Sequence, residues 1–417
     1  MNLSPGGKPE SGFRGQWTVL VAALLGWLFD GFEMGLFPVV ARPALKSMLP
    51  GIAEQDVGRW MGIITAMFLI GAAIGGLVFG WLGDRFGRVR AMSLSILAYS
   101  LFTGVVYFAQ SPAQVGGCRF LAGLGMGGEW SLGVALVMEC WPDRWRPLLA
   151  GVIGAAANIG FLLVGFTAKA FPVTEESWRW MFLVGTLPAL LVFFIRLFVP
   201  ESKRWKSSVE ERAARPIREL FEGGLKKNTL LAIALSSIAL IGTWGAVEWL
   251  PLWADQMTGG TNPGAKATTI MTRSFGSIFG CILGPLVGAL LGRRPAFSLL
   301  CLAAFCLCSI LFRTIENYDR TFLVMVFFVG AASTSFYGWF SLYLPELFPT
   351  RVRATGQGVS YNTGRVFAAA GALTAGQLIQ YFEGSYARQG ATISTIYLLG
   401  ILIIWFAPET RGKPLPK

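Results

Sequence analysis

Twelve apolar runs, each of roughly 20 residues, constrain this chain more than any other feature. They lie at residues 17–39, 59–82, 91–109, 115–138, 148–171, 179–198, 229–251, 267–291, 296–313, 321–343, 354–380 and 392–407. As a helix, each run is long enough to cross a hydrocarbon layer about 30 Å thick. One soluble core has no room for so many buried helices. The chain is 14% charged, where a soluble domain carries about 25%, and its 52 glycines suit closely packed membrane helices. The predicted class is an all-α polytopic membrane protein with 12 transmembrane helices. The longest polar stretch, 200–228, divides it into an N-terminal six-helix bundle at 1–199, a central loop, and a C-terminal six-helix bundle at 229–417. Residues 1–16 are polar and glycine-rich and carry no signal peptide.

The net charge of +12 is a topology signal. Of 35 lysines and arginines, 22 fall in the termini, the central loop and the loops on the same side of the membrane, against nine on the other side. This bias predicts that both termini and the central loop are cytoplasmic. No basic folded domain exists to bind nucleic acid. The six cysteines form no CxxC pair and read as packing thiols. With no histidine in the chain, a histidine-ligated metal or histidine proton relay is ruled out. There is no nucleophile–base set and no nucleotide loop, so the reading is not an enzyme, with no metal and no cofactor.

Two charged phrases recur. A glycine-spaced turn, Gly80 to Arg90, carries Asp84, Arg85 and Arg88; a shortened copy, Gly288 to Arg294, carries Arg293 and Arg294 but no aspartate. After the fourth and tenth runs come a glutamate, a proline and arginines: Glu139, Pro142, Arg144 and Arg146, then Glu346, Pro349, Arg351 and Arg353. A glutamate at a helix end beside arginines forms charge-assisted latches. The expected pairs are Arg88 with Glu139, and Arg293 or Arg294 with Glu346. Asp84 either accepts from helix N-terminal amides or pairs with Arg144. The copy without an aspartate predicts a weaker second latch. The plainer alternative is that these turns only mark topology. Pro200-Glu201-Ser202 and Pro408-Glu409-Thr410 belong to the same pattern.

These phrases join Asp30-Gly31-Phe32-Glu33 in the first run, and Arg119, Gly123, Gly125, Gly127, Gly128, Glu129 and Trp130 in the fourth. Asn362-Thr363-Gly364-Arg365 in the eleventh completes the set. Together they resemble the major facilitator superfamily over essentially the whole chain. The pattern is most like its sugar-porter-like branch, among metabolite–proton symporters of the sialate and aromatic-acid type and organic-ion and synaptic-vesicle-type transporters. The resemblance implies two pseudo-symmetric bundles with a substrate site between them and alternating access by rocking. It implies that the first-helix acid couples to protons and faces Arg119, and that an arginine at the place of Arg365 binds anions. It also implies that the latches close the cytoplasmic side.

Ionisable groups inside spans are costly, and each is a site candidate. Asp30 and Glu33, three residues apart, share a helix face; two close carboxylates in low dielectric do not both ionise easily. That is the physics of a proton-coupling site. The alternative is a structural ion pair of Asp30 with Arg119, and the two roles are compatible. Arg365 lies near mid-membrane, permanently charged. It reads as the anchor for a carboxylate substrate, against a structural pair or a carbonyl-capping role. Glu248 and Arg273 are expected to satisfy each other. Trp130 returns to the Arg119 face and either lines the cavity or packs. Glu129 is a cavity acid or a partner for another helix's polar group. Trp244 and Tyr337 are candidates to wall the ligand, and Asn158 is either a substrate contact or an interhelical hydrogen bond.

The resulting expectation is a secondary active transporter, a proton-coupled symporter of a small organic anion working by alternating access. Its partners are the substrate, H+ (or Na+) and the lipid bilayer, with no nucleic acid, and the chain acts as a monomer. Its expected place is a bacterial inner (plasma) membrane. A neutral sugar or polyol transporter and a non-transporting receptor or scaffold remain the alternatives.

Overall fold

The computed structural model describes residues 13–52, 54–171, 173–202, 205–207, 216–259, 262 and 264–416. Residues 1–12, and 203–204 and 208–215 of the central loop, lie outside the described part. In hydrocarbon every backbone N–H and C=O must be satisfied within the chain, which selects helices, and the described regular elements are all helical. The first half holds α1 (Phe13–Met48), α2 (Glu54–Phe86), α3 (Arg88–Val105), α4 (Pro112–Cys140) and α5 (Arg146–Ala170). A sixth crossing is assembled from α6 (Trp178–Val184) and α7 (Pro188–Phe198). The central segment carries α8 (Pro216–Leu220). The second half begins with α9 (Gly223–Gly245), continued by α10 (Leu250–Met257). There follow α11 (Gly264–Leu291), α12 (Arg293–Thr314), α13 (Arg320–Leu347) and α14 (Arg353–Tyr381), with α15 (Tyr386–Ile393) and α16 (Ile396–Ile403) forming the last crossing. The α9 helix starts at Gly223, ahead of the apolar run, so Lys226 and Lys227 are helical.

Ten of these crossings are apolar and long enough to span a membrane. The other two depart from that standard for different reasons. The sixth is broken by the turn at 185–187 ahead of Pro188. The eleventh, α14, carries buried polar side chains, including Gln357, Ser360, Asn362 and Arg365, because it faces the other half and not lipid. Many large apolar side chains remain exposed, such as Phe108, Leu197 and Leu402, the reverse of a soluble surface.

Within the first half α2 packs on α4, and within the second α11 packs on α13. The device is the same. A Cβ on Gly127 would meet the carbonyl oxygen of Ala72 at 1.9 Å, and one on Gly280 that of Ala331 at 1.9 Å. The halves meet where α2 lies against α14 and α5 against α11. There Gly358 comes so close that its Cβ would stand 2.3 Å from the carbonyl oxygen of Gly76. The fold is therefore two six-helix bundles with a narrow seam.

Candidate functional site

The seam is closed at the face that bears the loops after α2, α4, α11 and α13, here called the basic face. Gly87 (φ 111°) and Gly292 (φ 98°) end α2 and α11 in a conformation that favours glycine. Each lets the next helix start at once, and each start is capped from a distance. Glu201 accepts from the amides of Arg88 (3.0 Å) and Val89 (3.1 Å). Glu409 accepts from those of Arg293 (2.9 Å) and Arg294 (3.1 Å). Burial pushes the Glu201 carboxyl above its usual range, against the pull of the Val89 and Ser202 amides. Burial also raises Glu409, but four backbone amides outweigh it and hold that carboxyl below the usual range.

The two latches then diverge. Arg88 donates to Asp84, to Glu139 at 3.3 Å and to the Thr350 carbonyl at 2.7 Å. Glu139 also receives Arg353 at 2.9 Å and the Ser202 hydroxyl. Asp84 accepts from the amides of Ala354 (3.2 Å) and Thr355 (2.7 Å) at the start of α14, where the helix dipole favours an anion. This first latch thus ties one half to the other. In the second, Arg293 grips Glu346 through two bonds of 2.9 and 2.7 Å, and Thr410 donates to Glu346 at 2.6 Å, all inside one half. Ala289 occupies the place, four residues before the arginine, where Asp84 stands in the first copy.

At this face Asp84 takes the helix amides and Arg293 takes Glu346, and three arginines stand outside the latches. Arg144 does not meet Asp84: the short 3-10 turn Asp143–Trp145 turns it outward over the Trp145 ring, while Arg146 is buried. Arg85 is exposed and lies over Trp81 and Phe86. Arg294 donates to the Ala407 carbonyl (2.6 Å) and leaves Glu346 to Arg293.

Within the first half, Asp30, Glu33, Arg119 and Glu129 are all buried. Arg119 pairs with Glu33, and not with Asp30, and lies over the Phe68 ring at 4.1 Å. Residues three apart on a helix differ by about 60° in direction, and that angle separates the two acids' partners. Asp30 instead faces Glu129 of α4 and lies in the field of Arg365 from α14.

Arg365 lines a cavity between the halves with Trp27, Asn158, Trp244, Tyr337 and Tyr361. The cavity is tight, about 50 Å³, room for one or two waters. Arg365 donates to the Asn362 side-chain oxygen at 3.0 Å and lies over the Tyr361 ring at 5.1 Å. Asn362 in turn donates to the Gly127 carbonyl at 3.1 Å, across the seam. Trp130 does not line the cavity; it sits behind Tyr361, ring centroids 4.4 Å apart. Asn158 lines the cavity and also donates to Cys281 Sγ at 3.8 Å, from one half to the other. Glu248 and Arg273 pair at the cavity wall. Tyr361 and Trp27 escaped the sequence reading, since an aromatic in an apolar helix carries no mark of facing a cavity. The one available signal for Tyr361 was its place one turn before Arg365.

Known proteins share this sequence pattern and this fold. The family model described as Major Facilitator Superfamily matches residues 40–372. A probable 4-methylmuconolactone transporter of Cupriavidus pinatubonensis is 31% identical over 411 residues, covering 97% of this chain and 93% of its own. The cis,cis-muconate transport protein of Acinetobacter baylyi is 30% identical over 410 residues, 95% and 96% of the two chains. Among solved structures, the proton:xylose symporter XylE bound to 6-bromo-6-deoxy-D-glucose superposes with a TM-score of 0.79 at 18% identity, covering 96% of this chain and 98% of that one.

Proposed function

Because the chain belongs to the major facilitator superfamily, and is therefore a multi-pass membrane transporter and not an enzyme, we propose that it carries a small organic carboxylate by proton-coupled symport. The observation that carries the substrate class is Arg365. It is buried in the cavity wall, and the hydrogen bond it makes there goes to the neutral side chain of Asn362. A permanent cation so placed presents its remaining N–H groups to an anion, and a carboxylate matches the planar fork. Trp27, Tyr361, Tyr337 and Trp244 flank it with flat apolar faces, suited to an unsaturated or cyclic carbon body. The relatives named for methylmuconolactone and cis,cis-muconate support the same class.

Coupling belongs to Asp30 of the first helix, since Glu33 is held by Arg119. Asp30 lies in the field of Arg365, so a proton on Asp30 and a carboxylate at Arg365 are linked electrostatically. The basic face is cytoplasmic, with both termini there, and the latch seals it while the site faces outward. Residues 1–199 and 229–417 rock as units about the site, the chain working as a monomer in a bacterial inner membrane.

The test is binding of cis,cis-muconate to purified protein, followed by thermal shift, against xylose as a neutral control. Arg365→Gln is expected to abolish the muconate shift. A muconate shift that survives in Arg365→Gln, or a xylose shift in its place, would overturn the reading.

A further inference from the structure

Asp30 on α1 and Glu129 on α4 are both without solvent exposure, and Asp30 lies in the field of Glu129. No donor among the described residues reaches any of their four oxygens. Both groups, when ionised, only accept; their contact becomes a hydrogen bond only when one of them holds a proton. Two bare carboxylates buried so close together repel strongly. The closeness is built in by Gly26, one turn before Asp30: a Cβ there would fall 1.9 Å from Glu129 Oε1. No side chain larger than glycine lets the acid come so near α1.

A third, independent group points at the same place. The Tyr99 hydroxyl of α3 is buried and has no hydrogen-bond partner among the described residues. It lies in the field of Asp30, Glu129 and Glu33. Around the pair, α1 contributes Glu33, α3 contributes Tyr99, and α14 contributes Arg365. On α4 the nearby cation, Arg119, is engaged by Glu33.

We propose that Asp30 and Glu129 form a carboxyl pair that shares one proton, and that this pair, not the Glu33–Arg119 ion pair, takes up the coupled proton. The proposal rests on the reading of the protein as a proton-coupled carboxylate carrier. With one shared proton the pair carries a single negative charge, which balances Arg365. A second proton converts the remaining –COO⁻ to –COOH, and the pair becomes neutral. Arg365 is then left with a positive charge that a substrate carboxylate neutralises. For the carboxylate that Arg365 neutralises one proton enters, and the net charge of the site is unchanged; the second carboxylate of a dianion such as cis,cis-muconate lies outside this balance. Glu129 is a coupling residue that need not touch substrate, and Tyr99 is a positioning residue whose unbonded hydroxyl lies in the field of the pair. Glu33 with Arg119 is a fixed brace between α1 and α4.

Infrared difference spectroscopy of purified protein across the neutral pH range tests the pair without any substrate. The wild type is expected to show the carbonyl band of a protonated carboxyl at neutral pH. Glu129→Gln should remove it, because Asp30 then faces an amide donor and Arg365 and ionises fully. Glu33→Gln should leave it in place. Tyr99→Phe keeps both acids and should shift the band without removing it, which gives a second readout if Glu129→Gln fails to fold. A wild-type spectrum without the band, a band unchanged in Glu129→Gln, or a band lost in Glu33→Gln would overturn the proposal. Uptake of cis,cis-muconate into proteoliposomes under an inward proton gradient is read separately. If the wild type gains nothing from the gradient, proton-coupled carriage of that acid fails while the spectroscopic result stands on its own.

Discussion

Arg353, in the second half of the chain, donates to Glu139 of the first across 2.9 Å, with neither side chain exposed. In the proposed rocking this contact breaks when the basic face opens, so it weighs on the balance between two conformations as well as on stability. Removing one partner of a buried charge pair costs about 3–5 kcal/mol. Arg353→Gln leaves Glu139 with Arg88, which softens the loss. The variant is expected to shift the balance by at least about tenfold toward conformations open at the basic face. A cysteine introduced at the buried position Ser131, in a background freed of native cysteines, reports this as faster labelling from that side. Labelling as slow as in the parent would show that the pair does not hold the gate.

Asp84 acts on the same gate by another route. Its two oxygens receive the first amides of α14, and its charge also holds Arg88. Asp84→Asn keeps one acceptor oxygen but loses the charge at a helix start, worth about 1 kcal/mol. The expected effect is a shift of several-fold in the direction of Arg353→Gln. Muconate affinity measured with the gate cross-linked shut should stay unchanged. A drop in that affinity would mean Asp84 acts on the site and not on the gate.

How much of this was readable in the residues differs from part to part. The twelve crossings were visible because a run of apolar residues is a one-dimensional signal. The Arg88–Glu139 and Arg293–Glu346 pairs were visible because the glutamate–proline–arginine phrase occurs twice with the same spacing and the glycine–arginine turn recurs in shortened form. The partner of Arg119 was not. Asp30 and Glu33 differ by three residues, and only the rotation of α1 against α4 decides which of them an arginine reaches. Arg144 and Arg146 pose the same difficulty: the 3-10 turn between them sends one outward and buries the other, and no spacing rule marks that turn. Part of the division of labour between the latches follows from Ala289 in place of an aspartate; the reach of Arg353 to Glu139 and of Arg88 to the Thr350 carbonyl does not. Even so, the sequence showed only that the copy was degraded, not that it would stay within its own half.

Tyr361 carries the third prediction. Its ring lies between Trp130, at 4.4 Å, and the guanidinium of Arg365, at 5.1 Å. Tyr361→Leu removes the face on which Arg365 rests, an interaction of about 0.5–2 kcal/mol in a desolvated site. Muconate affinity is expected to fall by about tenfold, while the proton dependence of uptake is kept because Asp30 and Glu129 are untouched. An unchanged affinity would mean that Asn362 alone orients the guanidinium.

The helix-capping glutamates should respond to pH with opposite signs. Glu409 is held below the usual carboxylate range in the folded protein, burial being outweighed by the amides of Arg293, Arg294, Arg411 and Thr410. A depressed carboxylate contributes stability that is present above its unfolded value, about 4.3, and is lost as pH falls through the folded one. Glu409→Gln is therefore expected to lower the melting temperature at neutral pH by a small amount, about 1–3 °C, and the difference should vanish as the medium is acidified below pH 4.3. Glu201 is raised by burial in spite of its amides, so ionising it on the way up in pH disfavours the folded state. Against the wild type, Glu201→Gln should do progressively better as pH rises through the upper carboxylate range. Melting curves of both variants in detergent across that range check the pair; parallel pH profiles for the two would refute the assignment of one cap to burial and the other to its amides.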